Sequence, residues 1–202
     1  HATNHVLDKG EKGIRNTLDF WASQPDVIAV GLYENEQELN RIHTIERGGV
    51  TFAVLAYTYG TNGISLPAES PYRVAYIDEP FILQQIQEAK SMADCVLVSM
   101  HWGAEDSMKV EDWQRELAQK IANAGADLII GHHPHVLRSV EWITRSDGSK
   151  MLCAYSLGNF ISTQMDAPNL LGGILNVTLN VGASPYAQTE SVEFTPTIAE
   201  YN

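Results

Sequence analysis

The chain predicts an α/β fold in which parallel strands alternate with amphipathic helices and antiparallel strands follow. Two observations carry this reading. The apolar runs Asp94-Cys95-Val96-Leu97-Val98-Ser99-Met100 and Asp127-Leu128-Ile129-Ile130 each follow a stretch with helical periodicity. After His135 the pattern changes to short alternating segments broken by turn residues. The order strand–helix–strand–helix–strand implies right-handed crossovers and a parallel sheet.

From the start of the chain, Glu11 to Ser23 places Ile14, Leu18 and Trp21 at helical spacing, and Pro25 stops it. Asp26 to Gly31 then reads as a short buried strand, and Glu34 to Leu39 as a brief helix. Arg41 to Glu46 and Val50 to Tyr57 flank Arg47-Gly48-Gly49, a hairpin signal. Thr58 to Pro71 is a loop holding Gly60, Asn62-Gly63 and two prolines, long enough to form a rim or lid. Asp78 is positioned to cap a helix reaching Ala93, with Phe81, Ile82, Ile86 and Ala89 on one face. Glu111 to Ala124 is a second amphipathic helix, with Trp113, Leu117 and Ile121 inward and Gly125 as its stop. Val140–Ile143, Met151–Tyr155, Gly173–Val181 and Glu190–Thr195 read as antiparallel strands, with Asp147-Gly148 as a turn.

Composition excludes several classes. At 202 residues with 44% hydrophobic and 19% charged residues, the chain can bury a sizeable core. A net charge of -12 argues against nucleic acid as a partner. It leaves anionic substrates open, because bound cations would reverse the local field. No apolar run is long enough to span a bilayer. The two cysteines, Cys95 and Cys153, lie inside apolar runs and read as buried free thiols. The chain begins His1-Ala2-Thr3-Asn4-His5, with no scaffold ahead of this loop, and reads as the later part of a longer protein.

The chemistry concentrates in histidines at strand ends. Gly131-His132-His133-Pro134-His135 follows one apolar run, His101-Trp102-Gly103 follows the other, and Thr3-Asn4-His5 lies near the start. Strand ends are where open α/β sheets present ligands. Neutral imidazole with an amide oxygen forms a donor set for a borderline-hard divalent ion. Singly, each histidine is as well explained by solvent or backbone partners; three such segments together point to a metal. Trp21, Trp113 and Trp142 read as core or core-rim residues, and Trp102 either walls a pocket or joins the core.

These same segments resemble the CapA family, the bacterial poly-γ-glutamate capsule synthesis proteins, which in turn are similar to calcineurin-like metallophosphoesterases. The match runs through Ala2-Thr3-Asn4-His5 with Asp8 and Gly10, His101-Trp102-Gly103 with Glu105, and Gln114 with Leu117-Ala118. It continues in the stretch from Ala124 to His135 and in Tyr155-Ser156-Leu157-Gly158-Asn159-Phe160. The resemblance implies an αββα sandwich lacking its N-terminal part, with residues 1–135 as a parallel half and 136–202 mostly antiparallel, in a single domain. It implies that Asn4, His101 and His133 ligate one divalent ion (Mn, Zn, Fe or Mg) and His135 another, with His5 as general acid. His132, Glu105 and Asn159 would support these ligands. The aspartates such centres need are absent, so the expectation is one metal at best, or none, with Asp8 starting or capping the first helix. The implied activity is metal-dependent hydrolysis of an anionic polymer or phosphoester at the cell envelope, outside the cytoplasm. The alternative is a non-catalytic polymer-binding subunit of an envelope synthesis complex, with membrane contact only through a segment absent here.

Overall fold

A computed structural model describes residues 1–182 and 184–200. Helix α1 (Gly10–Ala22) opens the chain and buries Ile14 with Leu7, Leu32 and Val74. Strand β1 (Leu32–Tyr33) leads to the short helix α2 (Glu36–Asn40), whose first turn is capped by Asn35 accepting from the Glu38 amide at 3.0 Å. Strands β2 (Thr44–Arg47) and β3 (Val50–Thr58) form the expected hairpin. Gly48 and Gly49 both have left-handed backbone, at φ 60° and 78°, as a two-residue turn of this hand requires. Strand β4 (Arg73–Val74) pairs antiparallel with β1.

Two crossovers then build the parallel part. Helix α3 (Glu79–Met92) starts as expected, Asp78 accepting from the Phe81 amide at 3.0 Å. It precedes β5 (Cys95–His101); helix α4 (Asp112–Ala124) precedes β6 (Leu128–His132). Strands β3, β5 and β6 are parallel neighbours. Strands β7 (Val140–Thr144) and β8 (Lys150–Ala154) complete a sheet of order β2-β3-β5-β6-β8-β7. A 3₁₀ turn (Ala167–Leu170) leads to β9 (Leu171–Asn180) and β10 (Gln188–Ile198), an antiparallel ribbon.

Alternation along the strands sorts their side chains between two faces. Ala53, Leu55, Tyr57, Val96, Val98, Met100, Ile129 and Cys153 pack with Ile82, Ile86, Leu117 and Ile121 of α3 and α4. Each fully buried large aliphatic chain contributes about 1.5–3 kcal/mol. Phe52, Leu97, Leu128 and Ile130 face the opposite way, toward Leu157, Leu175, Val177 and Leu179, around a cavity of about 290 Å³. The ribbon thus forms the layer on the sheet's second face.

Asp127 ties these layers together. Fully buried, it accepts from the Val96 amide at 2.8 Å, the Ala187 amide at 2.7 Å and Lys90 Nζ at 2.9 Å. One carboxylate therefore joins β5, α3 and the approach to β10.

Several expectations need correction. Asp26–Gly31 is not a strand: the Val30 carbonyl accepts from the His1 ammonium at 2.6 Å, and pairing begins only at Leu32. The region after His135 pairs β7 with β8 and β9 with β10 antiparallel; the departure is β8, which also joins β6 in parallel. Asp8 caps no helix; its carboxylate is engaged by His5. Trp102 is fully buried, donating to the Tyr155 carbonyl at 3.2 Å, and is core rather than pocket wall. Trp113 and Trp142 are 42% and 48% exposed, so of the core and core-rim readings the core one falls; Trp113 packs edge-on against Trp102 from the rim. Cys95 and Cys153 are buried free thiols, as expected. Among the described residues no helix is long and apolar enough to cross a membrane.

Candidate metal centre

The sheet delivers its histidines at the carboxyl ends of β5 and β6, where His101 stands in register with His132. Strand β6 can lie this close only because residue 131 has no side chain. A Cβ there would collide with the Tyr155 carbonyl and meet Trp102 Nε1 at 2.7 Å. Beyond β6 the chain turns abruptly, with His133 at φ 98° and His135 at φ 61°. Left-handed backbone costs a residue other than glycine on the order of 1–3 kcal/mol and is concentrated where function holds it.

The neighbouring loop, residues 103–108, is fastened from beneath. Arg138 Nε donates to the Ser107 carbonyl at 2.7 Å, Nη2 to the Ala104 carbonyl at 2.8 Å, and Nη1 to Gln114 Oε1 at 2.7 Å. The Asp106 amide donates to the Pro134 carbonyl at 2.9 Å, and its carboxylate accepts from Asn169 Nδ2 at 2.6 Å. The two histidine-bearing loops are therefore held to each other.

Within this frame His101 Nε2 lies 2.9 Å from Asn4 Oδ1. The His133 ring centre lies 4.7 Å from that of His101 and 4.6 Å from that of Tyr59. His135 is farther, its ring centre 6.2 Å from His133, and its Nδ1 is 2.9 Å from Asn159 Oδ1. Asn159 Nδ2 in turn donates to the Asn169 carbonyl at 3.0 Å. Asn4 is 3% exposed and His133 7%, whereas His5 and His132 are exposed. His5 Nδ1 lies 2.8 Å from Asp8 Oδ2. Glu105 comes within 3.8 Å of His133 Nδ1, beyond hydrogen-bond range.

Burial, reinforced by His133, His132, His135 and His5, pulls the His101 pKa down to about 3. Burial also lowers that of His133, against an opposing pull from Glu105. Both imidazoles are therefore neutral at physiological pH, the state a metal requires. His133 Nδ1 is buried without a hydrogen-bond partner, as a nitrogen kept for an ion would be. Asn4, His101 and His133 are neutral donors of the kind a single divalent ion takes, with Asn4 Oδ1 and His101 Nε2 2.9 Å apart and the two imidazole centres 4.7 Å apart. Among the described residues no three His, Cys, Asp or Glu side chains are grouped closely enough to hold an ion by themselves. His135 is engaged with Asn159 and stands apart from the other two.

Sequence reasoning missed several residues here. Tyr59 stacks beside His101 with ring centres 6.4 Å apart, and Asn62 Oδ1 accepts from Asn4 Nδ2 at 3.0 Å. Both belong to the loop read as a rim or lid. Asn62-Gly63 was visible as a turn signal, but the partner of its side chain lies 58 positions away. Arg138 carried no motif at all.

The bacterial capsule synthesis protein family PGA_cap matches residues 1–164. The PGA biosynthesis protein CapA of Bacillus subtilis is 37% identical over 165 residues, 81% of this chain and 42% of its own. The capsule biosynthesis protein CapA of Bacillus anthracis is 35% identical over 168 residues, 81% of this chain and 39% of its own. This chain thus spans about two-fifths of those relatives' length. The crystal structure of a 5'-nucleotidase precursor from Thermus thermophilus superposes with a TM-score of 0.61 over 98% of this chain and 38% of the other, at 16% identity. That likeness establishes a metallophosphoesterase-like fold.

Proposed function

The chain belongs to the bacterial capsule synthesis family PGA_cap, and from that premise we propose that it serves capsule polymer biosynthesis through a metal-dependent hydrolase site. The approach of Asn4 Oδ1 to His101 Nε2 at 2.9 Å, with the His133 ring centre 4.7 Å from that of His101 and its Nδ1 unpartnered, is the observation that supports this reading. Asn4, His101 and His133 would hold one divalent ion, whether Mn, Zn, Fe or Mg. Such an ion supplies Lewis acidity to a phosphoryl or carbonyl oxygen.

The chain's own residues supply the rest. Asp8 holds His5 by Nδ1, leaving Nε2 of this exposed ring free to pass a proton to a departing oxygen. Asn159 holds His135 in the same way. Tyr59, 46% exposed, flanks the imidazoles where a substrate would enter. The substrate class is an anionic polymer such as poly-γ-glutamate, or a phosphoester, met at the cell envelope outside the cytoplasm.

A second reading has its own support. The all-neutral donor set, with no carboxylate among it, suits a polymer-binding subunit of an envelope synthesis complex that performs no turnover. One experiment separates the two. The chain is loaded with manganese and assayed on phosphodiester, phosphomonoester and poly-γ-glutamate substrates, with metal content measured by elemental analysis. Metal-dependent turnover lost in His101→Ala supports catalysis; binding of polymer without turnover supports the second reading. Two tightly held equivalents of metal per chain would refute the single-cation site.

A further inference from the structure

The loop after β3 contains a residue whose side chain does something its backbone does not require. Thr61 to Ile64 is a tight turn closed by the Ile64 amide on the Thr61 carbonyl at 2.9 Å. Asn62 and Gly63 at its centre take φ 53° and 74°, a geometry that glycine satisfies at both positions. The turn is braced by Thr61 Oγ1, which donates to the Ile64 carbonyl at 2.6 Å. None of this uses the Asn62 amide. That amide instead reaches the first residues of the chain, where its Oδ1 accepts from Asn4 Nδ2 at 3.0 Å. Its Nδ2 faces His5 Nδ1 at 3.5 Å.

The consequence lies in the symmetry of an amide. The oxygen and nitrogen ends of Asn4 are nearly isosteric, and only the oxygen can ligate a cation. Rotated by half a turn, Asn4 would present two N–H donors to His101 and repel an ion. We propose that Asn62 is a positioning residue that selects the ligating face of Asn4, by engaging its nitrogen and leaving its oxygen toward His101. The proposal rests on the reading of Asn4 and His101 as donors to one cation. With the oxygen facing it, the metal-free His101 carries its proton on Nε2 and donates to Asn4.

The test needs no turnover. Imidazole ¹⁵N spectra of the chain, metal-free in chelator and above neutral pH, report which His101 nitrogen is protonated. The wild type should show the Nε2–H tautomer. Asn62→Asp keeps an acceptor for Asn4 and should retain it. Asn62→Gly keeps the turn without the acceptor, and its His101 Nε2 resonance should move toward the unprotonated position as Asn4 turns over. Manganese affinity should fall about 10–100-fold in Asn62→Gly and recover in Asn62→Asp. An unchanged tautomer in Asn62→Gly, or an Nδ1–H tautomer in the wild type or in Asn62→Asp, overturns the proposal. Failure of the wild type to bind manganese overturns the metal reading instead, and the tautomer comparison still decides the role of Asn62.

Discussion

Acid should weaken this protein through His101 in a measurable way. The unfolded chain takes up a proton on this imidazole near the ordinary value of 6.5, whereas the folded chain does so only at about 3. Between those values the unfolded state binds the extra proton, so stability falls as pH drops through the window. Each pH unit is worth at most ~1.4 kcal/mol, giving ~2 kcal/mol by pH 5. Partial solvent access to the ring reduces this to about 1–2 kcal/mol. For a domain of this size that corresponds to roughly 2–8 °C in melting temperature. The assay compares thermal unfolding of wild type and His101→Gln near neutrality and near pH 5. Wild type should lose about 1–2 kcal/mol more than the variant on acidification, and its His101 Cε1–H resonance should stay put until well below pH 5. Equal losses in the two proteins, or a ring titrating at its ordinary value, would refute the claim that burial and neighbouring imidazoles keep the cluster neutral.

Three further substitutions probe the frame. Asp127→Asn keeps one oxygen but turns an NH₂ toward a buried donor, and should lower the urea-unfolding free energy by about 3–5 kcal/mol; a change below about 1 kcal/mol would contradict its place as a hub. Gly131→Ala should cost about 3 kcal/mol in the same measurement, because its methyl meets the backbone of Tyr155 rather than a movable side chain. Arg138→Met leaves the Ala104 and Ser107 carbonyls without their donor. It should cost about 3 kcal/mol and speed amide hydrogen exchange through residues 103–108; unchanged exchange there would show that Arg138 does not hold the loop.

What could be read in the residues was mostly local. The caps at Asn35 and Asp78 and the Gly48-Gly49 turn are short-range chemistry; only the last two were read, and Asn35 was taken inside its helix. The crossovers through α3 and α4 followed from the alternation of strand and helix, which leaves few topologies. Strand β8 was harder, because its hairpin with β7 is local while its parallel pairing with β6 is a non-local choice. Asp26 to Gly31 has the composition of a strand but joins no sheet among the described residues. At the site, strand ends located the histidines, yet nothing local showed that Asn4 would meet His101 across 97 positions. Buried polar residues such as Arg138 and Asp127 resist sequence reading for the same reason: their value depends on partners fixed only by the tertiary fold.

The backbone at His133 and His135 also bears on how this protein would evolve. Selection for thermal robustness alone would drift toward glycine or asparagine at both codons, since either relieves the left-handed turn. Selection for ligand capture would restore imidazole. A mutational library split between a folding screen and a metal-retention screen would thus diverge at these two positions, and the size of the divergence would measure how much robustness the loop gives up for its chemistry.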